Sequence, residues 1–154
     1  MKVIGVKKLA SAALIIISLS ACSPQLLYNW GPVHANGVSQ YEKLAYRHYD
    51  KQTPNTFCEL IVLYETIITH PGGKRQVPPP GICAEYGYLL MHPEAADTFL
   101  KYATPAQMRV FRGKELSSYF SERGKEMFEL EQKNYPESVM FIGPILKKFS
   151  ADKN

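Results

Sequence analysis

The sequence predicts an all-α protein of five or six helices arranged as antiparallel hairpins. Apolar residues recur every three to four positions through most of the chain after residue 38, which is the spacing of one helix face. Residues that cap helices, such as Ser or Thr followed closely by Pro, Glu or Gln, precede several of these stretches. No segment of useful length alternates apolar and polar residues as a half-buried strand does.

The first two predicted helices form a hairpin between residues 38 and 70. In the first, residues 38–50, Ser39 and Glu42 have the spacing of a capping box. The second begins at Thr53 and Pro54, because Thr is a common N-cap and Pro suits the first helical position. Its apolar face is continuous: Phe57, Leu60, Ile61, Tyr64, Ile67 and Ile68.

The remaining helices come after a loop over residues 71–80, in which three consecutive prolines exclude a helix. A third helix is predicted over residues 81–91, and Pro93 opens a short fourth one. Thr104, Pro105 and Gln107 start a long helical region that ends near residue 134, with Gly113 as its expected break. Ser138 is the predicted cap of the last helix.

Residues 1–21 have the three parts of a bacterial signal peptide. Lys2, Lys7 and Lys8 form the basic part, residues 9–19 the apolar part, and Ser20 and Ala21 the small-residue cleavage zone. The apolar part has about a dozen residues, fewer than the ~20 that cross a bilayer. The segments predicted are therefore a signal peptide over 1–21, an N-terminal arm over 22–37 and a helical domain over 38–150.

Leu19-Ser20-Ala21-Cys22 resembles the lipobox of bacterial lipoproteins. This resemblance implies cleavage before Cys22 and attachment of acyl chains such as palmitate to that residue. Ser23 stands where Asp favours the inner membrane in similar lipoproteins. The expected location is thus the outer membrane, held by lipid, on the periplasmic face.

The net charge excludes nucleic acid as an expected partner. The whole chain carries 18 basic and 14 acidic residues, a formal +4. Three of the basic residues lie in the predicted signal peptide, so the remaining chain keeps 15 against 14, a formal +1. A protein that binds nucleic acid would keep its excess of positive charge.

Two cysteines, Cys58 and Cys83, remain after cleavage. In an oxidising compartment an even number suggests a disulfide. Both, however, lie near the N-terminal ends of consecutive helices, and in an antiparallel pair these ends are too far apart for a bridge. We predict two buried, unbridged thiols.

No arrangement of residues predicts catalysis, a metal or a cofactor. The four histidines are scattered, and neither zinc-ligand spacing nor a glycine-rich phosphate loop is present. A thiol hydrolase that uses Cys58 or Cys83 remains an alternative. The acidic run of Glu126, Glu129 and Glu131 is interpreted as a solvated helix face.

Three aromatic residues are the candidate partner-binding positions: Tyr28, Trp30 and Tyr88. The first two lie in the predicted arm, where the alternative is that they pack on the chain's own first helices. Tyr88 lies on the other side of its helix from Tyr86, so the two cannot both belong to the core. Tyr88 is the one expected at the surface.

Part of the chain resembles a tetratricopeptide repeat. Gly124, Phe128 and Pro136 have the spacing of its second helix, and Tyr86-Gly87 with Leu90 matches its first. The two glycines are 37 positions apart, whereas the repeat expects 12. An insertion of about 25 residues near 93–116 accounts for the difference.

Segments in chain order carry a wider resemblance: Tyr28-Asn29-Trp30-Gly31, the helix with Tyr41 and Tyr46, Val77-Pro78-Pro79-Pro80-Gly81-Ile82, Ala84-Glu85-Tyr86-Gly87-Tyr88-Leu89-Leu90, Tyr135-Pro136-Glu137-Ser138 and Met140-Phe141-Ile142. Together they resemble a family of small outer-membrane lipoproteins of Gram-negative bacteria. Its members look tetratricopeptide-like, are functionally uncharacterised and are often encoded beside a lipoprotein similar to the curli secretion channel. The family has no established catalytic residues.

The expected function is that of a lipid-anchored, non-enzymatic helical adaptor. The resemblance implies that its partner is an envelope lipoprotein similar to the curli secretion channel. Two alternatives remain. One is the periplasmic thiol hydrolase, and the other is a module that binds a small apolar ligand or a peptidoglycan fragment in a cavity formed by the 93–116 insertion.

Overall fold

The protein is all-α in the part of the chain that the structure, a computed structural model, describes, which is residues 26–151. The described part contains seven α-helices, which are α1 (Gln40–Lys51), α2 (Pro54–Thr69), α3 (Ile82–Leu90), α4 (Ala95–Tyr102), α5 (Pro105–Met108), α6 (Leu116–Asn134) and α7 (Val139–Ala151). Two 3₁₀ turns, Arg109–Phe111 and Pro136–Ser138, precede α6 and α7. Before α1, Val33 and Ser39 form an isolated antiparallel bridge.

Three helix starts, those of α1, α2 and α5, coincide with predicted caps. The Ser39 hydroxyl accepts the amide of Glu42 at 3.1 Å and begins α1. Thr53 caps α2 with Pro54 in its first turn. The capping box of Thr104 and Gln107 is complete, because each side chain accepts the other residue's backbone amide. These side chains satisfy amides that the first turn leaves without helical partners.

The predicted number of five or six helices is wrong by at least one. The region from Pro105 to Asn134 is two α-helices, because the chain turns at Gly113, the expected break, whose φ of +77° suits glycine, and Glu115 caps α6. The fourth helix begins at Ala95 rather than at Pro93. Ser138 does not cap α7, since its buried hydroxyl has no hydrogen-bond partner.

Helix α2 lies at the centre of the core. Its predicted apolar face is buried except at Phe57, which is half-buried. It runs antiparallel to α1, because Tyr41 meets Tyr64 at one end and His48 meets Thr56 at the other. Burying such a continuous apolar stripe is the main stabilising contribution available to a helix of this kind.

Helices α3 and α6 pack against each other at two glycines. A Cβ on Gly87 would lie 2.8 Å from the carbonyl oxygen of Gly124, and one on Gly124 would lie 2.5 Å from Cγ of Met91. The Gly81 amide meets Glu131 near the other end of the pair, so these helices also run antiparallel. Any larger residue at either glycine would force the helices apart.

The 93–116 insertion belongs to the core. Ala95, Ala96 and Phe99 of α4 are buried, as is Phe111 after α5. The rings of Phe99 and Phe111 lie 5.2 Å apart, and each lies 5.6 Å from the ring of Phe120 on α6. The insertion therefore fills space between the helices that precede it and α6.

Candidate functional site

The predicted lipid-attachment residue, Cys22, lies outside the described residues, as does the predicted signal peptide. The described chain begins at Leu26 and continues as the arm. The arm is fixed to the loop after α2, because the amides of Lys74 and Arg75 donate to the carbonyls of Leu26 and Leu27 at 3.0 and 3.1 Å. The arm is thus bound to the helical body from the fourth residue after Cys22 onward.

Trp30 of the arm is half-buried against the chain's own rings. It lies 5.2 Å from Tyr41, which lies 6.0 Å from Tyr64, which in turn lies 5.7 Å from Tyr86. We call these four rings the aromatic ladder. It passes from the arm through α1 and α2 to α3. These contacts match the alternative in which Trp30 packs on the first helices.

Tyr28 is also half-buried, but it contacts residues that lie far from it in the sequence. Its ring lies 6.4 Å from that of Tyr135, and the guanidinium of Arg75 lies 5.9 Å from its centroid. Tyr135 in turn donates its hydroxyl to the carbonyl of Pro78 at 2.7 Å. The contacts of Tyr28 and Trp30 hold the arm in place, and their partner-binding role stays a prediction.

Glu85 joins three helices beside the ladder. The hydroxyl of Tyr41 donates to its two oxygens at 3.1 and 3.0 Å, and that of Tyr64 donates to one of them at 2.5 Å. Burial, followed by the negative charge of Glu85, raises the pKa of both tyrosines, so that both stay protonated at neutral pH. The contacts of this carboxylate therefore serve to hold α1, α2 and α3 together.

Two further buried carboxylates link distant parts of the chain. Glu65 on α2 accepts Nε and Nη2 of Arg123 on α6, each at 3.3 Å. Glu131 is only 2% exposed, and its Oε1 accepts the Gly81 amide at 2.8 Å. The interpretation of Glu131 as part of a solvated face is therefore wrong. The signal was present, since Glu131 continues the inward spacing of Met127 and Phe128.

The predicted surface residue Tyr88 lines a groove of about 710 Å³. Tyr88 is 51% accessible, whereas Tyr86 is fully buried, and both agree with the prediction. Buried Leu90 and Phe120 contribute to the lining, and the ring of Phe149 on α7 lies 6.1 Å from that of Tyr88. We call this space the Tyr88 groove.

The lining of the Tyr88 groove is mainly apolar and carries no acidic side chain among the described residues. Its ionisable residues are His92 and Lys148, and Ser117 and Ser121 add hydroxyls. The groove therefore suits an apolar group with a neutral or acidic end. A second concave surface, of about 640 Å³ near His34, has only exposed or half-buried lining residues.

The two thiols are buried and unbridged, which confirms the prediction for Cys58 and Cys83. Burial raises the pKa of Cys58 to about 11. Burial and the charge of Glu131 raise the pKa of Cys83 to about 12. Because the thiolate is the nucleophilic form, both residues are in the unreactive state at neutral pH.

Within residues 26–151, no three His, Cys, Asp or Glu side chains are grouped as metal ligands would be. Across the same range, none of the helices has the length and apolar composition needed to cross a membrane. Comparison with protein-family models, curated proteins and solved structures gives no match for this chain. The resemblance to the envelope lipoproteins therefore rests on the segments quoted for it and stays a prediction.

Proposed function

We propose that this protein is a lipid-anchored, non-enzymatic adaptor of the bacterial envelope. Acyl chains on Cys22 hold it on the periplasmic face of the outer membrane, and the helical body binds another envelope lipoprotein. The observation that carries the proposal is the Tyr88 groove, which presents an aromatic rim over a buried apolar floor. Grooves of this kind receive apolar or amphipathic segments of partner proteins.

The helix arrangement supports a repeat-like architecture for the adaptor. We propose that α3 and α6 are the two helices of a single tetratricopeptide-like unit, separated in sequence by the insertion. Their antiparallel packing at Gly87 and Gly124 supports this proposal, because the repeat has small residues at the corresponding positions. The insertion then packs beside α3 and α6 as an additional part of the same helical domain.

The state of the cysteines disfavours the alternative of a thiol hydrolase. A nucleophilic cysteine needs a lowered pKa and access to substrate. Cys58 and Cys83 have raised pKa values and no accessible surface. Neither thiol therefore has the surroundings that this chemistry requires.

The volume of the Tyr88 groove favours a small apolar ligand as the second candidate. About 710 Å³ lies within the range of small-molecule sites. Pro93 and Ala96 of the insertion contribute to the lining, as the ligand-binding alternative expects. The mainly apolar lining suits an apolar ligand better than a glycan fragment, whose hydroxyls would need polar partners.

Site-specific photocrosslinking in living cells tests the adaptor proposal. A benzoylphenylalanine in place of Tyr88 should give a crosslinked product that contains the lipoprotein similar to the curli secretion channel. The matched control places the same group at Tyr46, an exposed tyrosine of α1 outside the groove. If neither position yields that product while the protein remains in the envelope, the adaptor proposal for this partner is wrong.

A further inference from the structure

The described chain begins with two exposed leucines that the fold holds in place. Leu26 and Leu27 are 61% and 58% exposed. Their carbonyls are nevertheless bonded to the amides of Lys74 and Arg75. We call these four residues the anchor face. Hydration of two neighbouring apolar side chains that face solvent is unfavourable, and a surface that covers them removes this cost.

The close approach of the arm to the loop after α2 depends on Gly73. Its φ is +75°, and a Cβ there would lie 2.6 Å from the carbonyl oxygen of Leu27. Gln76 also donates its side-chain amide to the Gly73 carbonyl at 2.6 Å and closes the loop. The local sequence thus fits the loop to the arm, so that the backbone of the two leucines lies directly beside that of the two cations.

The anchor face carries positive charge beside its apolar residues. Lys74 and Arg75 are exposed, and within residues 26–151 neither forms an ion pair. Arg75 lies over the ring of Tyr28, which leaves its guanidinium charge uncompensated. Exposed leucine, an amphipathic tyrosine and basic side chains are the combination that binds at the interface of an anionic membrane.

The position of the anchor face in the chain indicates which surface covers it. Leu26 lies four residues after Cys22, and four residues span at most about 14 Å when fully extended. We propose that the anchor face lies directly on an anionic phospholipid surface, so that the lipid fixes the orientation of the body. This inference rests on the proposed acylation of Cys22. In this orientation the arm contacts the membrane in addition to the acyl chains on Cys22.

Fluorescence quenching on vesicles tests this orientation with the acylated protein purified from membranes. The vesicles contain phosphatidylethanolamine and phosphatidylglycerol with a nitroxide-labelled lipid. A fluorophore is attached at Leu27→Cys, and the control label is at Lys51→Cys. Lys51 precedes α2, whereas the Gly73 loop comes after it, and the 16 residues of α2 put its ends about 24 Å apart. Buried Cys58 and Cys83 will not compete for the label.

We expect the nitroxide lipid to quench the label at Leu27→Cys several-fold more than the label at Lys51→Cys. Reversing the charges with Lys74→Glu and Arg75→Glu should weaken this difference on vesicles with phosphatidylglycerol. The matched reversal, Arg109→Glu with Arg112→Glu, changes two exposed cations of the insertion and should leave it intact.

The outcomes separate this inference from the anchor proposal. If the mass shows acyl chains but the two labels are quenched equally, the proposed orientation is wrong and the proposed lipid anchor on Cys22 is not affected. A mass without acyl chains would overturn both. A large difference between the labels that survives reversal of Lys74 and Arg75 would show that charge plays no part, and it would overturn the anionic surface as the occupant.

Discussion

Glu131 is a buried carboxylate that joins the last turns of α6 to the first turn of α3. Burial raises its pKa, and the amides of Gly81, Ala84 and Cys83 offset only part of that effect. Folding therefore favours the protonated form. The stability that this side chain contributes is complete below its unfolded pKa and declines as the pH rises through the folded one. At neutral pH the hydrogen bond to Gly81 is its favourable contribution.

Replacing Glu131 separates the hydrogen bond from the charge. Glu131→Ala leaves the Gly81 amide and the start of α3 without an acceptor, so we expect it to lower the free energy of unfolding by about 2 kcal/mol. Glu131→Gln keeps an acceptor oxygen and removes the charge, and it should stay within about 1 kcal/mol of the wild type. Urea unfolding at pH 7 measures both variants. Equal losses would show that the charge, not the hydrogen bond, matters there.

Residue-level predictions succeeded where a local pattern decides the outcome. The caps at Ser39, Thr53 and Thr104 depend on neighbours within three positions, and the structure confirms them. The role of Glu131 depends on a helix start 50 residues away. An acidic residue within an apolar stripe signals burial, but its partner cannot be read from local spacing.

At the scale of elements, the insertion of α4 and α5 is part of the core. Phe111 shows this most directly, because it is buried between Phe99 and Phe120. The turn at Gly113 then returns the chain to α6. If the insertion only formed a cavity, the rest of the core would stay closed after the insertion was removed. Here, removing the insertion would expose the aromatic side chains of α6.

We therefore expect Phe111→Ala to lower the free energy of unfolding by about 3 kcal/mol or more, because the lost ring leaves a cavity among packed aromatics. The control is Val110→Ala at the exposed neighbouring position, which should change stability by no more than about 0.5 kcal/mol. Thermal or urea unfolding followed by circular dichroism gives both values. If Phe111→Ala were as stable as the Val110→Ala control, the insertion would not be structural.

Element prediction was most accurate for α1, α2 and α3, where caps, apolar stripes and proline-containing breaks agree. It was poorer after residue 91. Pro93 does not open α4, because a turn of two further residues comes first. The expected break at Gly113 is confirmed, but the spacing did not indicate that the helix from Pro105 ends after four residues and continues as the 3₁₀ turn Arg109–Phe111. Spacing alone cannot distinguish one long helix from two whose faces are in phase.

At the scale of the whole molecule, the arm and the groove define two different surfaces. The aromatic ladder and the bonds to the Gly73 loop hold the arm on the body, so the arm and the helices share one packed structure. The Tyr88 groove lies among α3, α4, α6 and α7. The sequence predicted the exposure of Tyr88, but the groove requires residues from three segments that no local pattern connects.

The mass of the mature protein purified from envelopes tests the acylation of Cys22. We expect a chain from Cys22 to Asn154 that carries acyl chains, and a fragment with its N-terminal Cys22 modified. Cys22→Ser should remove this modification and keep the protein out of the outer membrane. An unmodified Cys22, or a mature chain that begins elsewhere, would show that the protein is not anchored through this residue.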